Sequence, residues 1–118
     1  RAMGHGDDVV LCDTNFPADS VARQTAIGKL LRIDGVNAPR VARAVLSVMP
    51  LDSFVEHPAR RMEVVGKPTE LPTVQQEVQA EIDQAGDQRA ALAVQPVIGL
   101  GRVRRFVLLL ARRRRWLR

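Results

Sequence analysis

The chain has 118 residues, enough for one domain with a single modest hydrophobic core. The apolar fraction of 46% excludes a disordered chain, and the only cysteine, Cys12, excludes an intrachain disulfide, so we expect a reducing, cytoplasmic environment. The net charge of +5 comes from the end of the chain, because residues 1–101 carry ten basic and thirteen acidic side chains, whereas residues 102–118 carry eight arginines and no acid.

Two kinds of partner that basic proteins often bind are not supported by the rest of the sequence. A positive surface would suggest nucleic acid or an anionic membrane, yet residues 1–101 have a net charge of −3. The longest late apolar run, Phe106 to Ala111, is far shorter than the ~20 residues that a membrane-spanning helix needs. Charged residues near the start also replace the apolar part of a secretory signal. We therefore expect neither nucleic acid nor a membrane as partner.

The chain opens with a histidine between two glycines, Gly4-His5-Gly6, followed by Asp7. Because glycine adopts backbone conformations that other residues avoid, His5 is expected to project from a tight loop. The apolar run Val9 to Cys12 then predicts a buried strand that ends at Asp13. This order predicts that the imidazole of His5 and the carboxylate of Asp13 face one pocket. The competing interpretation is a solvent-exposed histidine in a surface loop.

The following segments alternate between loop, strand and helix patterns. Ala18 to Gly28 is rich in small and polar residues and predicts a loop with at most a short helical turn. Leu30 to Ile33 predicts a strand that ends in the turn pair Asp34-Gly35. Asn37 is a favourable N-cap for a helix that Pro50 stops. We assign the apolar stripe of this helix to core packing.

The second half of the chain continues the alternation. Arg61 to Val65 predicts a strand, and Thr73, with Gln76 completing a capping box, predicts the start of an amphipathic helix that ends near Gly86. Ala90 to Val94 predicts a further strand. We therefore expect an α/β layer protein with a central sheet and helices on both faces.

Metal and cofactor chemistry is not indicated by the sequence. Structural zinc sites draw three or four His or Cys ligands at regular spacing, and this chain has two histidines and one cysteine in total. The second histidine, His57, lies in no recognisable ligand spacing, so we expect a solvated loop residue. No glycine-rich phosphate loop occurs either. We therefore expect neither a metal nor another cofactor.

Several motifs occur in a fixed order along the chain. GHGD and a short apolar strand are followed by D-x-N-F-P-A from Asp13, by Arg32-Ile33-Asp34-Gly35 and by Pro50-Leu51-Asp52. This order resembles the RbsD/FucU family, and within it the L-fucose mutarotase branch, because the D-ribose pyranase branch lacks the N-F-P motif. The resemblance extends from Ala2 to about Asp87. It implies an RbsD-like three-layer α/β/α fold.

The resemblance also implies a reaction and a set of site residues. Interconversion of the α and β anomers of a reducing monosaccharide, L-fucose in this branch, requires one proton to leave the anomeric hydroxyl and another to reach the ring oxygen. A histidine suits this exchange because its ordinary pKa of ~6.5 keeps both protonation states accessible near neutrality. By resemblance, His5 is the catalytic residue, and Asp13 and Arg105 bind the substrate. No cofactor is implied.

The sequence departs from the family pattern at both ends. The helix that usually precedes GHGD is represented only by residues 1–3, and the usual Tyr-x-Asn segment is missing because the chain has no tyrosine. We therefore expect a fold that is truncated at both ends. Family members form ring-shaped homo-oligomers, which we expect here only of a complete chain. A non-catalytic monosaccharide-binding protein, or an inactive remnant of the family, is the alternative to a mutarotase.

The departure at the C-terminal end begins at Leu108. The family pattern R-F-x-F-Y-x-R-A is replaced there by a leucine run and a run of arginines. With suitable codons, reading the same bases one position later restores Phe-Tyr and then alanines. We therefore divide the chain into a mutarotase domain, residues 1–107, and an aberrant basic tail, residues 108–118, interpreted as out of frame. This predicts a body without its last strand and with an uncovered sheet edge. Polyanion binding by the tail is the remaining alternative.

Overall fold

The first strand, β1 (Asp8–Cys12), confirms the strand predicted from the apolar run after GHGD. The computed structural model describes Met3 and residues 7–85, 93–95 and 106–111. The chain divides into two compact units, Arg1–Val41 with Leu100–Arg118, and Ala42–Gly99. β1 belongs to the first unit, which also holds Asp13.

The first unit contains a parallel sheet of three strands, in the order β1-β5-β2. β2 spans Leu31–Ile33, as predicted, and β5 spans Phe106–Ala111. Leu110 of β5 pairs with Cys12 on one side and with Arg32 on the other. Because the strands are parallel, their carboxyl ends lie at one edge of the sheet, which we name the carboxyl edge. An apolar run without proline suits the central strand, since both sides of its backbone join the ladder.

β5 crosses the position at which the basic tail was expected to begin. Residues 108–111 continue β5 and pair with β1 and β2. A leucine-rich run suits a β-strand because of its apolar composition, whichever reading frame encodes it. The helix and strand whose loss was predicted come later in the family pattern than R-F-x-F-Y, so the pairing of β5 does not test that loss. The uncovered edge and the division of the chain at residue 107 stay predictions.

A short helix, α1 (Ala18–Ala22), occupies part of the segment predicted as a loop. Its apolar residues recur at helical spacing, and Ala18, Val21 and Ala22 are buried. Side chains of the sheet and the adjoining loop pack against them, namely Val10, Cys12, Phe16 and Leu30. This cluster is the core of the first unit and fixes where the β1–α1 loop leaves the sheet.

The remaining helices and strands are α2 (Ala38–Leu46), β3 (Arg60–Met62), α3 (Thr73–Ala85) and β4 (Ala93–Gln95). α2 begins where predicted, because the Asn37 side chain accepts a hydrogen bond from the Arg40 N–H at 3.2 Å. It ends at Leu46, before Pro50. A turn follows in which the Val45 carbonyl accepts backbone hydrogen bonds. β3 and β4 pair in parallel, with Arg61 opposite Val94.

The predicted capping box of α3 is wrong. Thr73 is already the first helical residue, so the carbonyl of Pro72 accepts the first N–H bonds, from Gln75 at 2.9 Å and Gln76 at 3.1 Å. The Gln76 side chain instead donates to the carbonyl of Leu71 at 2.8 Å. The helix therefore begins one residue earlier than a capping role for Thr73 requires.

β3 is shorter than predicted because a tight turn follows it. Val64 bridges Lys67 around Gly66, whose φ of 74° is a conformation that favours glycine. The Arg61 guanidinium holds the continuation of this loop by donating to the carbonyl of Pro68 at 3.0 Å and to the Gln75 side chain at 3.1 Å. One arginine on β3 thus satisfies polar groups of the loop and of the first turn of α3.

A paired salt bridge links α2 to α3. Nε and Nη2 of Arg43 donate to the two carboxylate oxygens of Glu81 at 2.7 and 2.6 Å. The Glu81 side chain is only 10% exposed, whereas that of Arg43 is 68% exposed. The hydrogen bonds from Arg43 hold the pKa of Glu81 below its ordinary value. Glu81 therefore stays ionised at neutral pH beside the buried Ile82.

These elements confirm the predicted α/β class. Each described helix packs an apolar side, and the described strands pair in parallel. In the part of the chain that the structure describes, no helix is long and apolar enough to cross a membrane.

We predict that Arg43→Met lowers the thermal unfolding temperature at pH 7, because it leaves a nearly buried carboxylate without its partner. Arg40→Met is the matched control, since Arg40 is exposed on the same helix. The pKa of Glu81 is depressed in the folded state, so the stabilisation is present above the ordinary carboxyl pKa of ~4.3 and is lost as the pH falls through the lowered value. The difference between the two variants should therefore shrink in acid; a constant difference from pH 7 to pH 3 would assign the effect to packing.

Candidate functional site

Asp13 lies at the carboxyl edge, directly after β1. Its side chain is exposed, and Oδ1 accepts a hydrogen bond from the Asn15 N–H at 3.0 Å. The Asp13 carbonyl accepts a further bond from the Phe16 N–H at 3.4 Å. This turn fixes the carboxylate at the end of the strand and leaves Oδ2 without a protein partner among the described residues. A fixed, exposed carboxylate oxygen is an acceptor for a sugar hydroxyl.

The β1–α1 loop is anchored on both sides of Asp13. Cys12 precedes it, and Phe16 follows it, and both side chains pack against the buried face of α1. The Ala18 N–H donates to the Phe16 carbonyl at 2.7 Å, so the loop passes directly into the helix. These contacts hold Asp13 on a rigid support, as hydroxyl recognition requires.

The thiol of Cys12 has low reactivity near neutral pH. Burial, and to a smaller extent the charge of the neighbouring Asp13, together raise its pKa to about 11. Because the thiolate is the reactive form, Cys12 is protonated near neutrality and behaves as a packing residue.

A second polar group lies at the carboxyl edge, at the end of β2. Arg32 Nη2 donates to Asp34 Oδ1 at 3.3 Å. Both side chains are largely exposed, at 49% and 61%. Gly35 follows with a φ of 78° and turns the chain away from the sheet. The sequence predicts only a turn here, together with a motif of the family resemblance. The R-x-D-G spacing at the end of a strand is the signal from which the polar pair could have been found.

Two of the three predicted site residues, His5 and Arg105, lie outside the described residues. In the sequence, His5 precedes β1 and Arg105 precedes β5. These two strands pair with each other, and Asp8 lies opposite Phe106. Asp13 follows β1 at its other end. Whether His5, Asp13 and Arg105 share one site therefore remains a prediction.

His57 lies on the surface, as predicted. Its side chain is 53% exposed, and Nε2 is 3.8 Å from an oxygen of the exposed Glu56. Among the residues that the structure describes, no group of three His, Cys, Asp or Glu side chains is arranged to hold a metal ion.

The family assignment follows from a match to a family model. The model of the RbsD / FucU transport protein family matches residues 1–97, which include the GHGD segment, β1 and the Asp13 loop. The chain belongs to this family. The match confirms the resemblance carried by the ordered motifs.

Individual relatives agree with this assignment. A fucose mutarotase from Homo sapiens is 48% identical over 63 residues, which is 53% of this chain and 40% of that protein. A crystal structure of a fucose mutarotase in complex with L-fucose, from Streptococcus pneumoniae, is 31% identical, with a TM-score of 0.76 over 94% of this chain and 76% of that one. A crystal structure described as a candidate sugar-binding protein is 45% identical, with a TM-score of 0.85 over 98% of this chain and 78% of the other.

These likenesses confirm the RbsD-like α/β fold that the resemblance implied. The chain spans less than half the length of the human relative that it matches. The substrate, the activity and the assembly of the whole protein are therefore matters of proposal.

We predict that Cys12 reacts slowly with a thiol-alkylating reagent in the folded protein. A pKa of about 11, against 9.0 for an ordinary thiol, lowers the thiolate fraction at pH 8 about a hundredfold relative to the protein unfolded in urea. Asp13→Asn should accelerate the reaction modestly, because it removes the smaller of the two causes, whereas Asp19→Asn on the exposed side of α1 should not. Equal alkylation rates in the folded and unfolded protein would contradict the burial described for Cys12.

Proposed function

We propose that this protein is a mutarotase that interconverts the α and β anomers of L-fucose. The observation that carries the proposal is the match of residues 1–97 to the family, together with relatives named fucose mutarotase and a related structure that contains L-fucose. The exposed, rigidly held carboxylate of Asp13 at the end of β1 supports it, because a hydroxyl-rich ligand needs fixed acceptors.

In the proposed reaction His5 moves the protons. The imidazole removes the proton of the anomeric hydroxyl, the bond between the anomeric carbon and the ring oxygen breaks, and the ring oxygen gains a proton. Rotation of the open-chain aldehyde and reversal of these steps closes the ring on the other face. Asp13 accepts hydrogen bonds from sugar hydroxyls, and Arg105 donates to sugar oxygens.

A non-catalytic monosaccharide-binding protein is the second candidate. The structural relative with a TM-score of 0.85 is described as a candidate sugar-binding protein. Binding without anomer exchange would identify this function.

We also propose a cytoplasmic location and a ring-shaped homo-oligomer for the complete protein. The single cysteine leaves no intrachain disulfide in this sequence, which suits a reducing compartment. Light scattering of the purified protein measures the number of subunits directly.

We predict that the protein exchanges L-fucose anomers faster than the pyranose and furanose forms of D-ribose. The N-F-P motif after Asp13 and the R-x-D-G motif at the end of β2 favour the fucose branch. Saturation-transfer NMR on each sugar reports the exchange rate without a coupled reaction. Equal or reversed rates would contradict the assignment to this branch.

The second prediction separates proton transfer from binding. In the proposed mechanism, His5→Ala lowers the exchange rate ~10²–10⁴-fold and leaves weak sugar binding intact. Asp13→Asn, which keeps an oxygen for the Asn15 N–H, should weaken binding more than it slows exchange. His57→Ala is the matched control, because His57 lies on an exposed loop. Undiminished exchange in His5→Ala would remove the imidazole from the mechanism.

The basic tail, residues 108–118, is proposed to be an out-of-frame translation without a selected binding role. The change from a net charge of −3 over residues 1–101 to +8 over residues 102–118 supports this reading. The coding DNA provides the test. We expect the alternative frame beyond Val107 to encode Phe-Tyr and later Tyr-x-Asn; an immediate stop in that frame, or salt-dependent binding of the tail to DNA, would overturn the proposal.

A further inference from the structure

The carboxyl edge carries polar groups on both sides of the end of β5. Cys12 of β1 and Arg32 of β2 pair with the same residue of β5, Leu110. Strands lie about 4.8 Å apart, so the backbones of Cys12 and Arg32 are separated by about 10 Å. Asp13 follows Cys12 by one residue, and Asp34 follows Arg32 by two. One strand end therefore separates the Asp13 carboxylate from the Arg32–Asp34 pair.

The two groups also lie toward the same face of the sheet. Leu30 and Cys12 both pack against the buried side of α1. Arg32 and Cys12 both pair with Leu110 in the parallel ladders, so Arg32 lies on the same face of the sheet as Cys12, which is the α1 face. The loop that contains Asp13 runs from the carboxyl edge to α1 on this face. The Arg32–Asp34 pair and Asp13 therefore border the same region, beside the end of β5 on the α1 face of the sheet.

The Arg32–Asp34 pair has the chemistry of a diol-binding group. The guanidinium donates hydrogen bonds and the carboxylate accepts them, side by side, and neighbouring hydroxyls of a sugar both donate and accept. The pair is exposed and its single contact is 3.3 Å long, so it contributes little to the stability of the fold. Its open donors and acceptors remain available to a ligand.

We propose that Arg32 and Asp34 are positioning residues that bind neighbouring hydroxyls of the monosaccharide held by Asp13. The inference rests on the proposed function, and it adds a second point of attachment across the end of β5. Two attachments fix the orientation of the ring, which a single carboxylate does not.

The test compares two exposed Arg–Asp pairs of the same unit. Asp34→Asn and Arg32→Gln alter the proposed pair, and Asp19→Asn and Arg23→Gln alter a pair on α1 with a 2.9 Å contact and similar exposure. The probe is methyl α-L-fucoside, which has the ring hydroxyls but no free anomeric hydroxyl, so its binding is measured by calorimetry without exchange. Saturation-transfer NMR on L-fucose gives the exchange rate of the same samples.

We expect each change in the Arg32–Asp34 pair to weaken binding of the glycoside ~10-fold to ~100-fold, the range for a hydrogen bond to a charged group. KM for L-fucose should rise more than kcat falls, and the unfolding temperature should stay unchanged. Unaltered binding in both Asp34→Asn and Arg32→Gln, or equal losses in the α1 pair, would overturn the inference. Wild-type binding without exchange would overturn the mutarotase proposal alone. A wild-type protein that binds neither L-fucose nor the glycoside would overturn both.

Discussion

The pairing of β5 with both neighbours is the interaction on which the first unit depends. β1 and β2 have their ladder partners in β5 alone within the described structure, and α1 packs on the sheet that these three strands form. A buried strand with unpaired N–H and C=O groups is costly, so the positions of β1 and β2 follow from β5. The distance between the polar residues at the ends of β1 and β2 therefore also follows from the pairing with β5. The arrangement of Asp13 and the Arg32–Asp34 pair is thus set by a segment that contributes no described polar side chain to the edge.

At the carboxyl edge, the residues that stabilise the fold differ from the residues proposed to bind the sugar. Val10 and Cys12 of β1 pack against α1, whereas Asp13 and the Arg32–Asp34 pair at the carboxyl edge are charged and exposed. Exposed charges contribute little to folding, yet they carry most of the donors and acceptors that a sugar can use. In open parallel sheets this edge is where ligands usually bind.

Several local features could be predicted from the sequence because neighbouring residues determine them. The apolar run before Asp13 predicts β1, and Asn37 predicts the start of α2 through its own side chain. The start of α3 was misjudged by one residue, since Thr73 follows a proline whose carbonyl already serves the helix. α1 agrees with the short helical turn allowed in the segment from Ala18 to Gly28, and packing against side chains of β1 and the adjoining loop supplies its stability.

Features that depend on distant residues could not be predicted in this way. Arg43 and Glu81 are 38 positions apart, and neither local pattern indicates the other. The central place of β5 is a still longer-range property, because a leucine run specifies a buried strand without specifying its partners. The motif order predicts Asp13 as a site residue, but the position of Asp34 relative to Asp13 follows only from the register.

The register of β1 also has a consequence for the biogenesis of the protein. Asp8 pairs with Phe106, about a hundred positions later in the chain. At ~5–20 residues per second, a ribosome needs ~5–20 s to synthesise the partner after β1 has been made. During that interval the apolar strand lacks its ladder and has an open edge. The open edge can pair with other chains during this interval, so a pause in translation late in the message prolongs the period of greatest aggregation risk.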